Sequence, residues 1–138
     1  MSADFRLRVY YEDTDAGGIV YYANYLKFIE RARTEALIAL GLSQTEIKDR
    51  LGVQFAVRAV AVDYLAPARL EDQLVVTTAV AAIGGARIDM AQEVLRDGVV
   101  LVRAKLTLVC IGPDGRAARL PAEVRQALAA LVVPQPRP

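Results

Sequence analysis

The sequence has no histidine, a single cysteine (Cys110) and only two serines, Ser2 and Ser43. A Ser-His-Asp or Cys-His arrangement therefore cannot be assembled within the chain, and hydrolytic mechanisms built on them are excluded. The same absences remove the imidazole and thiolate sets that zinc and most transition metals need, so no metal site is expected. A large excess of either charge is missing too. The 17 basic and 16 acidic residues are scattered rather than blocked, for a net charge of +1, which leaves no electrostatic footprint for nucleic acid or a membrane surface. No apolar run approaches the ~20 residues of a bilayer span, and the first residues lack the basic-then-apolar pattern of a signal segment. The expectation is a soluble, cytoplasmic chain that is not transmembrane. Any proton transfer or nucleophilic attack in it falls to carboxylates or tyrosines.

What is present reads as one domain. With 138 residues, 54% of them hydrophobic, and no Ser/Gly linker, residues 1–132 are expected to form a single compact unit. Residues 133–138, with three prolines, are expected to be a poorly ordered tail.

Residues 5–12 mix aromatic and β-branched positions with partial alternation and predict a strand. The Asp, Thr and Gly content of residues 13–21 predicts a loop. From Tyr22 to Leu40 the apolar positions Tyr25, Phe28, Ile29, Ala32, Ala36, Ala39 and Leu40 recur at intervals of three and four, predicting one long amphipathic helix with Gly41 as its stop. Arg31 and Glu35 are spaced to pair on its outer side. A short helix over 43–51 follows, with Ser43 and Glu46 at the spacing of a capping box.

Beyond Gly52 the period changes to two. Residues 53–65 become apolar on both faces, as a strand in the middle of a sheet would be. Residues 73–83, a Gly84-Gly85 turn, a strand marked by Ile88, Met90 and Val94, an Asp97-Gly98 turn and a last strand alternating through Val100, Val102, Ala104, Leu106, Leu108 and Cys110 complete the pattern. Residues 121–131 predict a short terminal helix. The one long helix must cover the sheet's apolar face, so the expected architecture is α+β, an antiparallel sheet wrapped around a central helix. Cys110 sits on that apolar face and reads as an inert buried thiol.

The chemistry concentrates where the first strand meets the long helix. Glu12, Asp13 and Asp15 precede a flexible Gly17-Gly18 pair and then the helix start, whose backbone amides attract negative charge. A reacting carbonyl could sit between amide and carboxylate. Taken alone, Asp13 and Asp15 would more often be turn and capping residues.

The run Tyr11-Glu12-Asp13-Thr14-Asp15, Gly17-Gly18-Ile19-Val20, Asn24-Tyr25 and Glu30-Arg31-Ala32-Arg33-Thr34-Glu35, with a second block from Asp63 to Asp72 (DYLAPARLED), resembles the 4-hydroxybenzoyl-CoA thioesterase family of the hotdog fold. Within it, the chain is most similar to the Tol-Pal-associated acyl-CoA thioesterase branch. The resemblance implies hydrolysis of an acyl or aromatic acyl thioester of coenzyme A. Asp15 would be the catalytic aspartate, as nucleophile or as base for water, and the backbone amide of Tyr22 would polarise the thioester oxygen. Gly18, Val20 and Tyr25 are the substrate-binding candidates. The side chain at position 22 departs from the branch, which typically has histidine there, and is similar to the aromatic-acyl branch instead. Arg87, Arg103, Lys105, Arg116 and Arg119 are the pool from which coenzyme A phosphates would be met. No cofactor is implied, coenzyme A being part of the substrate. The resemblance implies a homodimer or homotetramer with a shared site, and an acyl-carrier protein is a candidate partner. The alternatives are a catalytically idle acyl-CoA or acyl-carrier-protein binding module and, less well matched because it would need a histidine, a hotdog dehydratase.

Overall fold

The computed structural model describes residues 3–133. Strand β1 (Ala3–Arg8) is followed by the long helix α1 (Asn24–Ala39), the short helix α2 (Gln44–Leu51), strands β2 (Gln54–Tyr64), β3 (Gln73–Ile83), β4 (Arg87–Arg96) and β5 (Val99–Ile111), and helix α3 (Ala122–Leu128). The strands form one antiparallel five-stranded sheet in the order β1-β3-β4-β5-β2. Helix α1 packs against β1, β3 and β4. Its first half buries Tyr25, Phe28, Ile29 and Ala32 with Leu74, Val76 and Val94, and its second half buries Ala36 and Leu37 with Val80, Met90, Leu108 and the α3 residues Val124 and Leu128. Among the described residues no helix is long and apolar enough to cross a membrane.

Several local expectations shift. Strand β1 stops at Arg8 rather than Glu12, because the Asp13 carboxylate accepts the Tyr10 N–H at 2.8 Å and curls Tyr11–Asp13 into a 3-10 turn. Helix α1 begins at Asn24, not Tyr22. At its far end Gly41 takes φ 78° and its N–H reaches Ile38 O, as the stop signal required. The Ser43 side chain makes no capping bond to α2. Arg31 and Glu35 form no ion pair among the described residues; Thr34 donates to Glu30 instead (3.0 Å).

Strand β2 is the main correction. Read as a central strand, it lies at the sheet edge, with β5 as its single neighbour among the described residues. A bulge at Arg58 puts Val57 opposite Leu108 and Val60 opposite Leu106, so both valines face the helix side of the sheet. Neither is covered, and they stay 49% and 43% exposed. The apolar composition of β2 is therefore not matched by its burial here.

At the other end, Val132 bridges Val80 in parallel and the Val133 N–H donates to Val80 O (3.1 Å), where β3 runs on past the first residue of β1. The rest of the expected tail, 134–138, lies outside the described residues. Cys110 is fully buried, and burial pushes its thiol pKa up.

The helix also buries a charge that its periodicity does not announce. Arg33 is only 9% exposed and donates to Gln92 Oε1 (3.2 Å). Gln92, fully buried on β4, donates in turn to Ile29 O and Thr78 Oγ1, both at 2.9 Å. Burial lowers the Arg33 pKa from the ordinary arginine value, with Glu30 opposing. Replacing Gln92 by Leu strands a buried guanidinium without its acceptor, so stability should fall by about 3 kcal/mol, as for breaking one side of a buried polar pair. Urea unfolding of Gln92→Leu beside wild type measures this, and an unchanged midpoint would contradict it.

Candidate active site

Residues 13–21 fold into a tight hairpin whose two ends are tied to Asp13. The Asp13 carbonyl accepts the Tyr21 N–H (3.0 Å) and the Asn24 side-chain amide (2.9 Å), while its carboxylate is held by Tyr10. Asp13 is therefore structural. Inside the hairpin Thr14 bridges Val20, the Asp15 N–H donates to Ile19 O, and the Gly18 N–H donates to Asp15 O (3.0 Å each). The Asp15 side chain is exposed; Oδ1 accepts the Gly17 N–H at 2.9 Å, and Oδ2 has no partner among the described residues. The glycines are needed here. A Cβ on Gly17 would lie 3.2 Å from Asp15 Oδ1, and Gly18 sits at φ 77°.

Tyr22 lies in the turn that leads into α1. Asn24 N–H bonds Tyr21 O (2.8 Å), and the Tyr22 carbonyl accepts both the Tyr25 N–H (3.4 Å) and the Tyr64 hydroxyl (3.3 Å), which fixes the peptide plane on that side. The N–H groups of Tyr22 and Ala23 have no acceptor among the described residues. Unpaired amides at the entrance of a 16-residue helix, aligned with its dipole, suit an oxygen that gains negative charge.

Val20, Tyr22 and Tyr25 line an apolar groove of about 290 Å3 with Tyr64, Leu65 and Pro67. Its tyrosine rings meet edge-on or tilted: Tyr22 and Tyr64 at 6.0 Å, Tyr25 and Tyr64 at 5.7 Å. Tyr25 is buried, its hydroxyl accepts the Ala68 N–H at 2.9 Å, and burial pushes its pKa up. Asp15 and Gly18 line a second depression of about 460 Å3 with Tyr11, Thr14 and Leu70. The five predicted site residues thus divide between two neighbouring hollows, which adjoin where Ile19 bridges Arg69 and the Val20 N–H bonds Ala68 O (2.9 Å).

Asn24 and Tyr64 belong to this framework and were not singled out by residue type. Their signal was the motif itself: Asn24 stands in the first block and Tyr64 in the second. Of the basic residues considered for phosphate contacts, Arg87 pairs with Asp89 (3.5 Å) and Arg103 with Glu93 (2.8 Å). Lys105, Arg116 and Arg119 are exposed and form no ion pair among the described residues.

The model of the thioesterase-like superfamily matches residues 9–128. The acyl-CoA thioesterase YbgC of Haemophilus influenzae is 44% identical over 107 residues, 78% of this chain and 79% of that protein. The 1,4-dihydroxy-2-naphthoyl-CoA hydrolase of Nostoc punctiforme is 32% identical over 127 residues, 91% of this chain and 86% of that one. Among solved structures, a probable thioesterase from Bartonella henselae superposes with TM-score 0.84 at 35% identity, covering 88% of this chain and 100% of its own. A 1,4-dihydroxy-2-naphthoyl-CoA thioesterase from Synechocystis superposes with TM-score 0.86 at 26% identity, covering 97% and 100%.

Proposed function

The chain belongs to the thioesterase-like superfamily and is a hotdog-fold hydrolase of acyl-CoA thioesters, and from that premise we propose that Asp15 acts on the thioester carbonyl while the Tyr22 N–H holds its oxygen. The observation that carries this assignment is, among the described residues, a carboxylate oxygen without a partner in the hairpin followed by backbone amides without an acceptor in the turn that leads from it into α1. The C–S bond breaks, water supplies the oxygen of the product acid, and the thiolate of coenzyme A leaves and takes a proton. As nucleophile, Asp15 would form an anhydride that water opens; as base, it would draw a proton from the attacking water. Both routes place the developing oxyanion at the same amides, where one well-aimed donor contributes ~2.7 to 4 kcal/mol.

The groove among Tyr22, Tyr25 and Tyr64 would take a compact acyl end, aromatic rings included. The reaction as proposed uses no metal or cofactor. The working unit is a homodimer or homotetramer acting in the cytoplasm, with acyl-carrier protein as a second candidate thioester donor and the Tol-Pal setting as its context. The test is a panel of acetyl-, hexanoyl-, palmitoyl-, benzoyl- and 4-hydroxybenzoyl-CoA with released thiol followed by absorbance. Faster release from the compact aromatic substrates than from palmitoyl-CoA is expected; release from none of the five would overturn the assignment.

Backbone and side chain separate at Tyr22. Its ring is exposed and its hydroxyl makes no hydrogen bond among the described residues, so Tyr22→Phe keeps both the amide and the ring. Its kcat should stay within about threefold of wild type, since the oxyanion donor is retained. A loss as large as that of an Asp15 variant would make the phenol itself catalytic.

A further inference from the structure

Residues 65–72 touch both hollows: Leu65 and Pro67 wall the apolar groove, and Leu70 stands beside Asp15. This loop also backs the catalytic hairpin, because Ala68 O accepts the Val20 N–H (2.9 Å) and Arg69 bridges Ile19, whose carbonyl accepts the Asp15 N–H (3.0 Å). The edge of the hairpin between Asp15 and Tyr22 therefore rests on this loop through Ile19 and Val20.

Little of the loop's shape is regular structure. Glu71 is held at φ 70°, in the left-handed region that a glutamate rarely adopts. Its conformation is imposed from outside by the Glu71 N–H to Val9 O bond (2.9 Å) and by Arg8, which donates to Glu71 O (3.1 Å). The closing contact is Asp72. One carboxylate oxygen accepts the Arg69 N–H at 2.8 Å and the Arg96 guanidinium at 2.7 Å, and the same Arg96 nitrogen donates to Pro67 O at 3.3 Å. These are charge-assisted bonds between half-buried groups, less screened than a surface pair. Arg96 stands at the end of β4, so the loop is anchored at both ends to the sheet. Burial raises the Asp72 pKa, but the Arg69 amide and Arg96 together hold it below the usual carboxylate value.

We propose that Asp72 and Arg96 are positioning residues of the thioesterase reaction: neither touches substrate, and together they hold residues 65–72 so that Ala68 and Arg69 set the catalytic hairpin against the acyl groove. This rests on the assignment of Asp15 and the Tyr22 amide. The test compares Asp72→Ala, Asp72→Asn, Arg96→Met and the Asp72→Ala/Arg96→Met double variant on the best substrate of the panel, with thermal unfolding and amide hydrogen exchange measured on the same samples. A misplacement near 1 Å costs on the order of 100-fold, so kcat of Asp72→Ala should fall about 10- to 100-fold with KM within about threefold. Asp72→Asn, which keeps an acceptor for the Arg69 N–H, should lose less. The double variant should be no worse than the poorer single one, because the two side chains act as a unit. Exchange of the Val20 amide should quicken while the β4 amides stay protected. A kcat for Asp72→Ala within about twofold of wild type overturns the proposal, as does unchanged Val20 exchange with kcat falling only as folded protein is lost. Should Asp15→Asn prove active, the catalytic assignment fails by itself, and the Val20 exchange still decides whether the clamp orders the hairpin.

Discussion

Replacing Asp15 by Asn should lower kcat by ~100- to 10,000-fold while KM moves little, the signature of a group that acts in the transition state as acid, base or nucleophile. The fold gives this variant an unusually clear reading. Asp15 is exposed, so no burial energy is lost, and its structural bond is an acceptance from the Gly17 N–H that an asparagine oxygen can make equally well. The hairpin is further held by Asp13, Thr14 and Asn24, none of which changes. What disappears is the negative charge and with it the capacity to attack a carbonyl or take a proton at neutral pH. Steady-state kinetics with released thiol as readout, together with the unfolding midpoint, check both halves. Wild-type kcat in Asp15→Asn would remove this residue from the mechanism.

Disrupting the β2 face should abolish activity just as thoroughly, without touching the hairpin that carries Asp15. Strand β2 has one neighbour among the described residues, and Val57 and Val60 leave apolar surface open on its helix side, next to the exposed Tyr64 and Leu65. A long apolar strand with an unpaired edge invites pairing by another chain, and closed symmetry favours dimers and pairs of dimers. Because Tyr64 closes β2 and also walls the groove, a second copy seated on that edge would stand beside the acyl site. Wild type should therefore sediment at micromolar concentration as a dimer or tetramer. Val60→Lys, which places a charge where the interface would be dry, should shift it toward the one-chain mass of 15.0 kDa and remove activity in parallel. A monodisperse, fully active species of one-chain mass would refute the shared site.

The misreading of β2 and the unannounced burial of Arg33 have related causes. Alternation says which residues of a strand are apolar, not which strand ends up beside it. Residues 53–65 carry the composition of a central strand, yet the sheet order leaves them at the edge. The three-and-four spacing of α1 found its buried stripe correctly through Ala36, but it could not show that Arg33 would share that stripe, since its acceptor Gln92 lies 59 positions along the chain. The helix start moved from Tyr22 to Asn24 because the Tyr21–Asn24 turn comes first, and the amides at 22 and 23 stayed available for the same reason.

The sequence by itself determined the number and order of the strands and helices, the turns at Gly41 and Asp97-Gly98, the absence of any histidine-based mechanism, and the stretch from Asp13 to Tyr25 that holds the candidate site residues. These depend on local periodicity, glycine conformation and residue inventory, which neighbouring positions record. Only the tertiary structure decided that β2 lies at an edge, that Arg33 is buried on Gln92, that the predicted site residues divide between two hollows, and that Asp72 and Arg96 close the loop joining them. Each of those depends on partners brought together by strand pairing across long stretches of chain, and no local window of residues contains that information.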